Sequence, residues 1–342
     1  MKKTKTVSAR RASFCLVILS LILVGLFLVS FVIGRYDVPL GQVVRILLNA
    51  VVPMEETWSA NMQAAVLNIR LPRIVMACLV GASLALAGTA YQSVFRNPMA
   101  APDILGASSG ACFGAALGIL IGFTRNGVTF SAFAFSMLTV LLVYAVSSRT
   151  RGNRTVSILL AGVMVSSLFS AGTSYLKLVA DPGNELPAIT YWMMGSLSGT
   201  RGKDVVFVII PMLIGALPLL LARWHINILT LSEEEAATMG VNIGRLRLLV
   251  VCCATFLTAA SVSVSGMIGW VGLVIPHFCR KLVGNDCRYL LPASVLMGAG
   301  FLLLVDDVSR NLLATEIPIG ILTAFIGAPF FLYMMTRKEN AL

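Results

Sequence analysis

The chain has 342 residues, of which 58% are hydrophobic and 12% charged, against roughly a quarter charged in an ordinary soluble domain. Water is therefore excluded as its main solvent, and the absence of short alternating segments excludes a β-barrel. The formal charge of +11 raises the question of nucleic acid, but the basic residues are dispersed at the ends of apolar runs, so no nucleic-acid partner is expected.

A membrane helix needs roughly 20 consecutive, mostly apolar residues. In chain order such runs predict spans at 14–34, 74–94, 104–123, 128–147, 156–176, 204–222, 247–266, 268–283, 289–308 and 317–335. The predicted fold is an all-α polytopic membrane protein of about ten helices, in one domain over 1–342. Pro and Gly interrupt several runs, which membrane helices tolerate when neighbours satisfy the freed backbone groups. The basic stretch Met1 to Ser13 leads into a run too long for a signal core and without a small-x-small cleavage site, so it reads as a retained first helix. In the third span Gly110, Gly114, Gly118 and Gly122 recur every four residues, which predicts a groove for close approach of another helix. Arg70-Leu-Pro-Arg73 and Arg245-Leu-Arg247 each precede an apolar helix, one from each side, a weak sign of an inverted repeat.

With the N-terminus inside, 17 of the 26 Lys and Arg residues fall on the inner side. Basic bias in short loops sets orientation. Both termini are thus expected in the cytoplasm, with the chain multi-pass in the membrane.

No G-x-x-x-x-G-K-[ST] loop is present, so ATP is not bound in that manner. A self-powered carrier would place ionisable groups deep in the bundle; the nearest candidates are Asp306 and Asp307, close to the outer end of the ninth span. Of the two histidines, His277 follows Pro276 and is expected to bond the carbonyl that proline frees, while His225 stands beside Trp224 at a membrane edge. The seven cysteines show no metal-ligand spacing and read as packing residues. No catalytic residue, metal site or cofactor is predicted. The longest inner loop, about 223–247, carries Ser232 and Glu235 at capping-box spacing and Gly240 as a stop, so a short helix is expected there. Such a helix is either a solvated face or a docking element.

Several strings resemble one family. They are Arg70-Leu-Pro-Arg73; Gln92-Ser-Val-Phe-Arg-Asn97-Pro-Met-Ala-Ala-Pro-Asp103-Ile-Leu-Gly-Ala-Ser-Ser-Gly110; Tyr191-Trp-Met-Met-Gly195; Gly269-Trp-Val-Gly-Leu-Val-Ile-Pro-His277; and Glu316-Ile-Pro-Ile-Gly320 before Gly327-Ala-Pro-Phe330. In this order, from end to end, they look like the FecCD-type permeases of bacterial ATP-binding-cassette (ABC) importers for iron siderophores, haem and cobalamin. The resemblance implies a type II importer permease that carries a metal chelate, a ferric siderophore foremost. Its implied partners are two cytoplasmic ATPase subunits, a second permease subunit (a copy or a paralogue), an extracytoplasmic binding protein and membrane lipid.

The resemblance also implies residue roles. Glu233, Glu234, Glu235, Ala236, Gly240 and Arg245 match the family's coupling helix, although the spacing from Glu235-Ala236 to Gly240 is one residue shorter than the E-A-A-x-x-x-G of other importers. Asn97 and Met99, with Thr155 and Val156, match the cytoplasmic gate of the family's cobalamin permease; Val156 replaces a serine, so a steric gate is expected rather than a hydrogen-bonded one. Arg70, Arg73 and Arg310 match arginines that dock the binding protein; arginines at membrane edges can also simply anchor to headgroups. The alternatives from other classes are a self-powered secondary carrier for a small organic solute and an intramembrane enzyme.

Overall fold

A computed structural model describes residues 8–49, 52, 55–150, 154–230, 235 and 239–336. In chain order the helices are α1 (Ala9–Ser30), α2 (Leu40–Asn49), α3 (Ala60–Ala64), α4 (Leu71–Phe95), α5 (Ala107–Leu120), α6 (Arg125–Arg149), α7 (Arg154–Val179) and α8 (Glu185–Met193). They continue as α9 (Gly202–Leu221), α10 (Arg223–Ile228), α11 (Ile243–Ser265), α12 (Val271–Val283), α13 (Cys287–Asn311) and α14 (Ile319–Thr336). A π-helical segment, Ala65–Arg70, joins α3 to α4, and a 3-10 turn, Pro102–Leu105, precedes α5. Among the described residues seven helical stretches are long and apolar enough to cross a membrane, and each of the ten expected spans coincides with a helix.

The helix that organises the others is α4, which is buried along nearly its whole length. It can be so because its small residues let backbones touch: a β-carbon on Gly81 would collide with Gly298 of α13, and one on Gly88 with Gly272 of α12. Without a hydrophobic drive between helices in lipid, such close van der Waals contact is a main source of association. Polar side chains add to it. Thr89 Oγ1 donates to Ser294 Oγ at 2.8 Å, and the Tyr91 hydroxyl lies 2.9 Å from Thr255 Oγ1 of α11. The pairs Gly81–Gly298, Thr89–Ser294 and Ser93–Cys287 fix α4 and α13 as antiparallel. We call the end where α4 begins the Arg73 end, and the opposite one the Asn97 end.

Several elements depart from the sequence reading. The third span is cut to α5, because Gly106 takes a left-handed φ of 74° and separates a 3-10 turn from the helix. Of its four glycines, Gly110 and Gly114 do abut α6, with Ser131 Oγ donating to the Gly114 carbonyl at 2.7 Å. Gly122 instead lies past the end of α5 with φ 74° and nothing near it, a helix stop rather than part of the groove. The eighth span begins only at Val271, after the extended-loop run Gly266 to Trp270, where Gly266 and Trp270 both have positive φ. His277 forms no hydrogen bond among the described residues; its ring meets Phe330 edge-on at 6.2 Å. Four short helices, α2, α3, α8 and α10, had no counterpart among the expected spans.

The glycine contacts make a direct prediction. Gly88→Val should abolish folded, detergent-stable protein, since backbone rather than a flexible side chain opposes the new β-carbon. Gly25→Ala, on α1 with open space around it, should be neutral or stabilise by about 0.5–1 kcal/mol. Thermal unfolding of both purified variants in one detergent checks the pair.

Candidate functional site

At the Arg73 end a charge cluster is enclosed by α1, α4, α13 and the segment leading into α14. Arg73 Nε donates to Asp306 Oδ1 at 3.0 Å, and its Nη1 donates to Glu316 Oε1 and Oε2 at 2.9 Å. Arg310 lies 3.2 Å from Asp306 through Nε and pairs with Asp307 through Nη2. Asp307 also accepts from Ser30 Oγ at 2.5 Å. Arg70, the last residue of the π-helical segment, donates to the carbonyls of Phe31 and Tyr36, while Arg35 donates to the carbonyls of Arg310 and Leu313 at 3.0 Å. The helix periodicity explains part of this: Asp306 and Arg310 are one turn apart on one face.

Burial decides how these charges can act. Arg70, Arg73 and Arg310 are 4%, 5% and 7% exposed, and Asp306 is fully enclosed. The three arginines expected to dock a partner are thus gathered together, but they face inward onto this chain's own carboxylates and carbonyls, not outward to headgroups. Among the cluster's carboxylates Glu316 is the one within reach of solvent, with 26% of its side chain exposed. Burial pushes its carboxyl up, and the Arg73 guanidinium reverses the sign and holds it below the ordinary glutamate range. Neither Glu316 nor the Asp306 pairing was picked out from the sequence as a site. The available signal was Arg73 and Arg310 at the ends of apolar helices, since a cation there needs a counter-charge.

At the Asn97 end, α4 stops at Phe95 and Arg96 takes a left-handed φ of 49°. Asn97 then builds the turn: its Oδ1 accepts from Met99 N at 2.9 Å and its carbonyl from Ala100 N at 3.0 Å. The 3-10 turn that follows rests on α7, where a β-carbon on Gly162 would strike the Ile104 carbonyl. Asp103 accepts from Ser108 N at 2.8 Å and so closes the first turn of α5. Asn97 and Met99 are exposed, as is Val156 near the start of α7; the Thr155 side chain lies outside the described residues.

Of the expected coupling residues, Glu233, Glu234 and Ala236, and with them the capping-box Ser232, lie outside the described residues. Glu235 is helical. Gly240 has φ 72°, the conformation of a helix-stop glycine, and nothing near it. Arg245 N donates to Asn242 Oδ1 at 3.0 Å, so Asn242 caps α11.

These features can be set beside known proteins. Residues 21–337 match the family model described as the FecCD transport family. The chain belongs to that family. Among FecCD relatives, the molybdate import system permease protein MolB of Haemophilus influenzae is 41% identical over 313 residues, 92% of each chain. The cobalamin import system permease protein BtuC of Halobacterium salinarum is 45% identical over 288 residues, 84% of this chain and 77% of that protein. A solved structure of a metal-chelate type ABC transporter in an inward-facing conformation superposes with a TM-score of 0.85 at 40% identity, covering 94% of this chain and 99% of that one. With its apolar helices and FecCD membership, the chain is a multi-pass membrane protein.

The cluster carries a stability prediction. Breaking a buried ion pair strands its partner, at about 3–5 kcal/mol, so Asp306→Asn, which leaves Arg73 and Arg310 short of a counter-charge, should lower the melting temperature sharply. Arg125→Ala, which removes the exposed pair with Asp204 at 3.4 Å, should change stability by less than about 1 kcal/mol. Melting curves of the two variants in the same micelle compare them.

Proposed function

We propose that the chain is the permease subunit of an ABC importer and moves a metal chelate into the cytoplasm, with ATP hydrolysed on separate subunits. The observation that carries this reading is the FecCD match over 21–337 together with the TM-score of 0.85 to a metal-chelate type ABC transporter. Relatives of similar identity are named for molybdate and for cobalamin, so the substrate class is drawn broadly, as compounds centred on a metal. The secondary-carrier alternative loses its main support. Its candidate ion site, Asp306 and Asp307, is occupied by arginine and serine partners from the same chain.

In this reading the Asn97 end faces the cytoplasm, in line with the basic bias of its loops. The Asn97–Met99 turn, with Thr155 and Val156, forms the steric gate, and the segment from Glu233 to Arg245 docks one of two ATPase subunits. A second permease subunit completes the pathway. The Arg73 end receives the extracytoplasmic binding protein. Because Arg70, Arg73 and Arg310 are paired internally, docking takes the form of an exchange: a carboxylate on the binding protein displaces Glu316, the most accessible acid of the cluster, from Arg73. Guanidinium suits such an exchange, since it holds carboxylates bidentately and keeps its charge.

Two experiments test this. Proteoliposomes holding the permease, its ATPase and binding protein should accumulate the chelate only with ATP, and accumulation by the permease alone on an ion gradient would sink the importer reading. Glu316→Gln should tighten binding-protein association, more at low salt than at high, because Arg73 is left with one carboxylate. Weaker association in that variant would mean that Glu316 is itself a contact, against the exchange.

A further inference from the structure

The stretch that enters the 231–242 segment is joined to the rest of the chain by two polar side-chain contacts. The first is made by Arg96, whose Nε donates to the Leu229 carbonyl at 2.9 Å. Arg96 is one of two non-glycine residues with positive φ among those described. A left-handed L-residue costs about 1–2 kcal/mol, and the residue that ends a helix in this way is usually Gly or Asn. An arginine here keeps a strained backbone, and its side chain is what a glycine would lack. Its own N–H and that of Asn97 both reach back to the Gln92 carbonyl, so the Asn97–Met99 turn is built directly on it.

The second contact is made by Asn227. Its Nδ2 donates to Asp286 Oδ1 at 2.8 Å, and its Oδ1 accepts from Cys287 N at 2.7 Å. Only a side chain with a donor and an acceptor side by side can grip the start of α13 in this manner. Asp286 is the N-cap of α13; burial pushes its carboxyl up, but the Arg288 and Asn227 hydrogen bonds outweigh that and hold it at about 2, ionised at any physiological pH. Between the two contacts α10 is locked by apolar packing, with Ile226, Ile228 and Leu229 all buried.

We propose that Arg96 and Asn227 are the positioning residues that make the entry to the 231–242 segment one mechanical body with the Asn97–Met99 turn and the first turn of α13. A displacement of Thr230, where that segment begins, then moves the turn through Arg96 and α13 through Asn227. This rests on the coupling role assigned above to Glu233 through Arg245. Asn97 and Met99 shape the passage; Arg96 and Asn227 determine when the passage moves.

The test uses the full importer, permease with ATPase and binding protein, in proteoliposomes. Arg96→Gly keeps the left-handed backbone and removes only the tether. It should fold and assemble, with ATP hydrolysis continuing while chelate moved per ATP falls about ten-fold, the scale of one lost charge-assisted hydrogen bond. Arg96→Lys, which keeps a cation within reach of the Leu229 carbonyl, should recover part of the loss. Spin labels on Met99→Cys and Thr230→Cys, in a Cys252→Ser background, should report the same separation with and without ATP. Asn227→Ala should repeat the uncoupling by the other route, and it decides the matter if Arg96→Gly does not assemble. Normal coupling in Arg96→Gly and Asn227→Ala, or a Met99–Thr230 separation that changes with ATP, would overturn the proposal. If bulky replacements of Gly240 still uncouple transport in that case, the coupling segment stands and only the tethers fall. If they too leave coupling normal, the coupling assignment itself is wrong.

Discussion

Arg73 is held between two carboxylates that come from opposite sides of it, Asp306 within α13 and Glu316 in the segment before α14. A guanidinium enclosed in an apolar bundle is stable only when its charge and its donors are met. Once Arg73 is placed in α4, the end of α13 and the approach to α14 have little freedom in where they lie. Arg310, Asp307 and Ser30 extend the constraint to α1. Three helices and a loop thus share one set of charges, and the loop's contribution, Glu316, is the part that water reaches.

The same economy appears along α4. Its glycines and alanines bring the backbones of α12 and α13 against it, and polar side chains such as Thr89 and Tyr91 find partners across a helix boundary. A helix this enclosed cannot shift by itself. The apolar side chains presented outward belong instead to helices such as α1, α7 and α9.

Much of this was legible in the sequence, for identifiable reasons. A 20-residue apolar run is a property of composition, so ten helices were readable even where their ends were not. The third span was drawn too long because Ile104 and Leu105 are apolar, while the break is made by the φ of Gly106, which composition does not carry. The π-helical stretch that ends at Arg70 is a shift in hydrogen bonding without a signature in residue type. Arg73 was noticed, but its partners are 233 and 243 residues away, and no local pattern could supply them. Asn227 and Asp286 are likewise 59 residues apart and unremarkable singly. His277 was expected to find a carbonyl; α12 carries Pro276 inside it, and the ring turned to Phe330 instead.

The helix α13 begins at the N-cap held by Asn227 and finishes inside the charge cluster held by Arg73. Its 25 residues rise about 37 Å, more than the roughly 30 Å hydrocarbon thickness of a bilayer. One unbroken rod therefore has each tip fastened by polar contacts at an opposite face, and its middle is clamped at Gly298 against Gly81. That is the geometry of a lever with its fulcrum in the bilayer. Tilting it at one end swings the other end the opposite way, so a displacement at the Asn227 end is felt at the Arg73 end without any loop joining the two.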